Sequence, residues 1–185
     1  MESTWGIEGW HPLWHTRVTE VAAQAGTQLR SLVGWTVTGV WGVWISEEDE
    51  WFADLPVVLE IGGERVVVCV NRLEDLSVTW DTIDVTTSPT WWNDWTLQWR
   101  SDVHPALRDV VGRTVTGVGF TEYGLGPTDP VGGRGPLAWV LSGLVLGLGD
   151  TGLWIYNAGD ENGLQAGLPP EDHEYRTTWL STAPS

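Results

Sequence analysis

Residues 29–40 read LRSLVGWTVTGV, and residues 107–118 read LRDVVGRTVTGV. Nine of the twelve aligned positions are identical without a gap, and the two stretches lie 78 residues apart. A match of this length and order is not expected by chance from common residue types. The sequence therefore indicates a tandem duplication of one structural unit.

A helix is predicted before the repeated glycine of the first copy. Gly34 stands where a left-handed helix cap is expected, and Gly112 has the same place in the second copy. There, Pro105 can begin a shorter helix. The helix of the first copy should start between Pro12 and Thr16. Its apolar residues follow the helical period and share one face: Val18, Val21, Ala22, Ala25, Leu29, Leu32 and Val33.

Strands should follow each helix. Residues rich in Val, Thr and Trp predict strands at 35–45, 57–61, 65–70 and 76–83, and in the second copy at 113–122, 144–148 and 153–156. The pair Gly62-Gly63 predicts a tight hairpin turn, and residues 149–152 predict the matching turn of the second copy. The run 66–70 is continuously apolar, so we expect it to be covered on both faces.

These elements predict an α+β fold. Each copy should contain a helix, a strand and a β-hairpin, with helices on one face of largely antiparallel sheet and a pseudo-two-fold axis between the copies. We expect a first repeat with the N-terminal helix at 1–85, a Trp-rich connection at 86–104, and a second repeat at 105–185. The two repeats should share one core. An all-β assembly with minor helices is the alternative.

The net charge of the chain indicates which kinds of partner it can bind. The 185 residues include 25 acidic residues against nine arginines, with no lysine, and the formal net charge is −16. Such a surface repels phosphate backbones, so we expect no nucleic-acid binding. It attracts cationic partners by long-range steering, although acidic surfaces also serve solubility alone. The missing lysine indicates GC-rich codon usage and, we expect, a bacterial source.

The sequence also predicts a compartment. The single cysteine, Cys69, cannot form an internal disulfide, which favours a reducing compartment. The first residues contain no basic region and no apolar run, so no signal peptide is expected. The longest apolar stretch, 137–148, is shorter than the roughly 20 residues of a membrane helix. We therefore expect a cytoplasmic protein without membrane association.

Motifs with possible chemistry each have a structural explanation. The segment 147–152 fits the spacing G-x-G-x-x-G, but a strand and not a helix should follow it, so a turn is predicted and a nucleotide site is not. His11 and His15 lack the glutamate of a zinc-protease motif, so no metal or other cofactor is expected. Cys69 should be a buried packing residue. Asp81 and Asp84 beside Trp80 leave a carboxylate-based hydrolase as the enzymatic alternative.

Two features remain as binding candidates. The first is the acidic run Glu47, Glu48, Asp49 and Glu50, flanked by Trp44 and Trp51; its alternative is a solvated loop. The second is the connection between the copies, with Trp91, Trp92 and Asp94; its alternative is a plug between the two halves.

The resulting functional expectation is a non-enzymatic, acidic binding protein that engages a basic protein partner. An immunity-type protein that blocks a cationic toxin is its most concrete form. In such a complex, carboxylates set the encounter rate and buried aromatics supply affinity. The alternatives are a carbohydrate-binding protein that uses exposed tryptophans, and a structural or assembly subunit whose edges pair with other copies.

Overall fold

A computed structural model of the chain describes residues 5–80, 83–90, 94–126, 135–170 and 174–181. These residues contain one α-helix, α1 (Val18–Ser31), and one 3₁₀ turn (Pro105–Leu107). They also contain twelve strands: β1 (Trp14–His15), β2 (Val37–Ile45), β3 (Glu50–Trp51), β4 (Val57–Ile61), β5 (Glu64–Asn71), β6 (Asp75–Thr79), β7 (Leu97–Arg100), β8 (Gly117–Leu125), β9 (Ala138–Gly147), β10 (Gly152–Asn157), β11 (Asn162–Ala166) and β12 (Tyr175–Trp179).

The predicted α+β class, with a helix in each copy and helices on one face of the sheet, is wrong. The molecule is mostly β-structure in two antiparallel sheets, as in the all-β alternative. The reason lies in the second copy, where Pro105 begins a single 3₁₀ turn instead of a helix. The helical apolar period is present ahead of the first copy, where α1, the one α-helix among the described residues, forms and buries Val21, Ala25 and Leu29.

The two sheets share one strand order. The first contains β7-β2-β4-β5-β6, with β1 beyond β6 and β3 against the end of β2. The second contains β12-β8-β9-β10-β11. The strand register is also the same. Val43 lies opposite Trp99 in the first sheet, and the residues 78 positions later, Thr121 and Thr177, lie opposite each other in the second sheet. Strand β7, which falls inside the predicted connection 86–104, thus has the place in its sheet that β12 has in the other.

The hairpin predictions are confirmed. Strands β4 and β5 pair across Gly62 and Gly63, whose φ values of +62° and +86° fit a primed two-residue turn. Strands β9 and β10 pair around the segment 147–152. Since β10 begins at Gly152, no helix follows the G-x-G-x-x-G spacing, and the segment is the predicted turn.

The repeated segments themselves join the two halves. Thr36 and Thr114 form an antiparallel bridge at the centre of the contact. Four backbone hydrogen bonds of 2.8–2.9 Å surround it, and each has a counterpart displaced by 78 residues. They run from Gly34 N to Val115 O and from Val37 N to Arg113 O, and correspondingly from Gly112 N to Val37 O and from Val115 N to Trp35 O.

Gly34 and Gly112 make this contact possible. Their φ values are +92° and +87°, in the left-handed region that a residue with Cβ enters only at a cost. Gly34 follows the end of α1, as predicted, whereas Gly112 comes five residues after the 3₁₀ turn that stands in place of the predicted helix. In the left-handed conformation each glycine turns its own N–H toward the other copy.

Two apolar cores result. The main core lies between the two sheets and α1, and it contains buried residues from both copies. The second core covers the outer face of the first sheet, where segments around Ile7 and Ile83 pack on it. Strand β5 serves both, because Val66, Val68 and Val70 face the main core while Val67 and Cys69 face the second. The prediction that residues 66–70 are covered on both faces is confirmed.

One buried polar side chain links the sheets. Asn162, at the start of β11, is 1% exposed. Its Nδ2 donates to Ala53 O at 2.6 Å and to Leu55 O at 3.0 Å, and its Oδ1 accepts from Val70 N at 2.8 Å. The side chain thereby provides a partner for Val70 N on β5 and for Leu55 O ahead of β4, while Ala53 O also accepts from the Asn162 backbone N–H at 3.0 Å.

We predict that Asn162→Ala lowers the free energy of unfolding by about 2 kcal/mol or more, because Val70 N and Leu55 O lose their side-chain partner and each unsatisfied buried group costs about 1–3 kcal/mol. Urea unfolding measures the change. The matched control is Gln165→Ala, an exposed position on the same strand, for which the change should stay within about 0.5 kcal/mol. Equal effects of the two substitutions would contradict a linking role for Asn162.

Candidate partner-binding surface

The predicted acidic run forms the tip of a hairpin between β2 and β3. Glu47, Glu48 and Asp49 lie in the turn, Glu50 begins β3, and all four are exposed. Asp49 adopts a left-handed φ of +53°, which an aspartate tolerates better than most residues. We call residues 46–50 the acidic turn. Its four carboxylates follow one another directly and face solvent.

Trp44 and Trp51 hold the base of this hairpin. They lie directly opposite each other across β2 and β3. Both are half-buried and pack against the main core, so neither is a fully exposed aromatic anchor. Cross-strand aromatic pairs stabilise antiparallel strands, and these two tryptophans therefore fix the direction in which the acidic turn points.

A basic residue that the sequence analysis missed lies beside the hairpin. The guanidinium carbon of Arg100, on β7, lies 4.2 Å from the centroid of the Trp44 ring, a cation–π contact. The same guanidinium forms two hydrogen bonds of 2.7 and 2.8 Å with the Asp102 carboxylate. The alternation of Trp95, Leu97 and Trp99 predicts a strand here, but it does not indicate that this strand pairs with β2.

Glu47 ties the acidic turn to the start of β7. Its carboxylate accepts hydrogen bonds from Thr96 N at 2.9 and 3.0 Å and from Thr96 Oγ1 at 2.5 Å. The Thr96 hydroxyl first, and then the Thr96 amide, lower the pKa of Glu47. The Glu47 carboxylate, one of the four predicted binding carboxylates, thus stabilises the folded structure.

Glu48 is in the opposite situation. Its pKa is raised, first by lost solvation, then by a hydrogen bond and the charge of Glu50, and last by the charge of Glu47. A raised carboxyl pKa means that the charged form is disfavoured by its surroundings. A cation placed at the turn would relieve this repulsion.

Three predicted binding residues remain: Asp94, which precedes β7, and Trp91 and Trp92. Asp94 is exposed and stands two residues before Thr96, the partner of Glu47. Trp91 and Trp92 lie outside the described residues. The structure therefore brings together Trp44, the acidic turn and Trp51 on one hairpin.

His104 packs against Trp51 at the base of this hairpin. Its ring centroid lies 5.4 Å from that of Trp51, and its Nδ1 accepts a hydrogen bond from Ala106 N at 3.1 Å. Burial lowers the pKa of His104 below its ordinary value of 6.5. The neutral form is the one that fits, because a protonated Nδ1 could not accept from Ala106.

Other chemical candidates have structural roles. Burial raises the pKa of the Cys69 thiol to about 12, so this buried cysteine is unreactive, as predicted. Asp84 accepts hydrogen bonds from the backbone and side chain of Thr86 and from Thr87, which lower its pKa. Asp81, its proposed carboxylate partner, lies outside the described residues. Within the described ranges, no three His, Cys, Asp or Glu residues are grouped to hold a metal ion.

Comparison of the chain with protein-family models, with curated proteins and with solved structures found no match. In the part of the chain that the structure describes, no helix is long and apolar enough to cross a membrane.

We predict that Glu47→Gln lowers the melting temperature, whereas Glu48→Gln leaves it unchanged or raises it. The first substitution weakens the charge-assisted bonds to Thr96, and the second removes a like charge next to Glu50. Thermal unfolding followed by circular dichroism compares these neighbouring, charge-matched variants. A lower melting temperature for Glu48→Gln than for Glu47→Gln would contradict the assignment of Glu47 to the fold.

We also predict that His104 makes the protein less stable in mild acid. The pKa of His104 is depressed in the folded state, so its contribution is complete above about pH 6.5 and is lost as the pH falls from there toward the folded-state value. The free energy of unfolding should therefore fall more between about pH 7 and about pH 5 in the wild type than in His104→Asn, whose amide oxygen can still accept from Ala106. Parallel pH profiles would refute this.

Proposed function

We propose that the protein is a non-enzymatic, cytoplasmic binding protein that engages a basic protein partner through the acidic turn. An immunity-type protein that neutralises a cationic toxin is the most concrete form of this proposal. The single observation that carries it is the set of four consecutive, exposed carboxylates at the tip of the β2–β3 hairpin.

The local charge balance supports a cationic partner. Arg100 is the guanidinium stacked beside the turn, and Asp102 already neutralises it with two short hydrogen bonds. The turn therefore keeps its negative field, to which the net charge of −16 adds. Such a field accelerates encounter with a basic protein and orients it, and it does so less at high ionic strength.

The hairpin is also organised in advance. The Trp44–Trp51 pair and the Glu47–Thr96 bonds hold the turn without a partner. Binding then costs little ordering of the backbone, which favours affinity. In this arrangement Glu48, Asp49 and Glu50 contact the partner, and the half-buried tryptophans position them.

Carbohydrate recognition through exposed tryptophans has less support. Thirteen tryptophans lie in the described ranges, and of these only Trp35, at 57%, is exposed. The apolar face of a sugar ring needs an open aromatic face to stack on, together with several directed hydrogen-bonding groups. Trp35 covers Gly62 at a hairpin turn and has no other exposed tryptophan among its described neighbours to form a platform.

The test uses an arginine-rich peptide as the cationic probe and two variants of equal net charge. One is Glu48→Gln/Asp49→Asn/Glu50→Gln, in the acidic turn. The other is Glu64→Gln/Glu74→Gln/Glu161→Gln, at exposed positions elsewhere. We expect the turn variant to lose about tenfold in affinity at low salt and the scattered variant about twofold or less.

Fluorescence anisotropy at low and high salt measures both affinities. Equal losses in the two variants would mean that only the net charge matters, and the assignment of the turn would fail. Binding of the wild type that does not weaken with salt would also overturn it, because a charge-driven encounter must be screened.

A further inference from the structure

The outer faces of the two sheets differ at equivalent places. In the first sheet this face is buried under the second core. In the second sheet the equivalent face carries aromatic side chains from β10 and β12 that are partly open to solvent. The strand registers give the equivalent positions in the first sheet. Trp154 corresponds to Val67, Tyr156 to Cys69, and Tyr175 to Leu97.

These aromatic side chains form a pocket. The ring centroids of Trp154 and Tyr156 are 4.4 Å apart, and those of Trp154 and Tyr175 are 5.0 Å apart with planes at 86°. The nearly perpendicular rings of Trp154 and Tyr175 thus border the same pocket. The pocket measures about 370 Å³ and is lined by Trp154, Tyr156, Gln165, Leu168, Pro170 and Tyr175.

The pocket is held in shape by its surroundings. The Trp154 indole N–H donates to Thr121 Oγ1 at 3.1 Å, and the Ser142 hydroxyl donates to the same oxygen at 3.1 Å. Tyr156 lies flat over Gly163, where an added Cβ would come within 2.5 Å of the ring. A glycine inside a strand weakens it, so this one is explained by the room it leaves for the ring.

The chemistry of the lining favours an organic cation. Aromatic rings attract cations through their negative faces, and no charged side chain lines the described pocket. The exposed Glu174 directly precedes Tyr175, and the whole chain has a net charge of −16. A sugar fits less well, because Trp154 is only 3% exposed and offers no open platform.

We propose that this pocket binds an ammonium or guanidinium group through cation–π contacts with Tyr156 and Tyr175. The group can come from a free small molecule such as a quaternary amine, or from an arginine or lysine side chain of a peptide. This site is separate from the acidic turn, and its existence does not depend on the function proposed for that turn.

The experiment is an NMR titration that follows the indole N–H of Trp154 at constant ionic strength. The probes are choline and its neutral isostere 3,3-dimethylbutanol, together with N-acetylarginine amide and its neutral analogue N-acetylcitrulline amide. A methyl glycoside serves as the sugar probe. We expect each cation to bind about tenfold more tightly than its neutral counterpart. The tighter of the two cations identifies the source of the group.

Variants separate the pocket from general charge attraction. Tyr175→Leu should abolish cation binding, whereas Tyr175→Phe should retain it because the ring face remains. Trp35→Leu, at an exposed tryptophan outside the pocket, should bind like the wild type. The spectrum of each variant reports whether it folds.

Three results would overturn the proposal. Equal affinity for the cations and their neutral isosteres would reveal an ordinary apolar pocket. Tighter binding of the methyl glycoside would reveal a sugar site. No response of Trp154 to any probe would show that the pocket binds none of these groups. Because none of these variants alters the acidic turn, these outcomes leave the peptide test of that turn unaffected.

Discussion

Backbone hydrogen bonding between residues 34–37 and 112–115 holds the two halves of the molecule in one arrangement. The bonds require left-handed backbone at Gly34 and Gly112, and the pairing places Thr36 opposite its own repeat, Thr114. Once this register is set, the apolar faces of both sheets meet in a single core that neither copy could close alone. Asn162 then ties the second sheet to β5 and to the loop ahead of β4 in the first copy. The positions of both candidate sites follow from this frame.

The copies differ where the candidate sites lie. The shared parts, five strands in one order, make the scaffold. The first copy adds the β2–β3 hairpin with its acidic turn, and further segments that bury the outer face of its sheet. In the second copy, as far as the structure describes it, the equivalent face is partly open to solvent and carries aromatic side chains where the first sheet has Val67, Cys69 and Leu97. Divergence at the surface over a common interior is what duplication permits, since interior packing tolerates change poorly and surfaces tolerate it well.

Electrostatics separates the carboxylates that build the fold from those available to a partner. Glu47 and Asp84 accept hydrogen bonds from threonines, and their pKa values fall, so their charged forms are part of the structure. Arginines 65, 100, 113 and 176 are each paired with an acidic residue. The pKa of Glu48 is raised instead, first by lost solvation and then by its neighbours Glu50 and Glu47. In this acidic protein, some carboxylates therefore stabilise its own loops, and others concentrate negative charge at one turn.

The sequence by itself determined the duplication, the helix ahead of Gly34, both hairpins, the turn at 147–152 and the buried run 66–70, because each depends on local backbone preference or on the periodicity of one segment. It also placed Trp44, the acidic turn and Trp51 together, since they are neighbours in the chain. Only the tertiary structure decided that Pro105 begins a 3₁₀ turn in place of the predicted helix and that β7 pairs with β2. It likewise decided that Arg100 covers Trp44 and that Trp154, Tyr156 and Tyr175 share one pocket. These features join residues far apart in the chain, and single-strand patterns contain no information about which distant surfaces will meet.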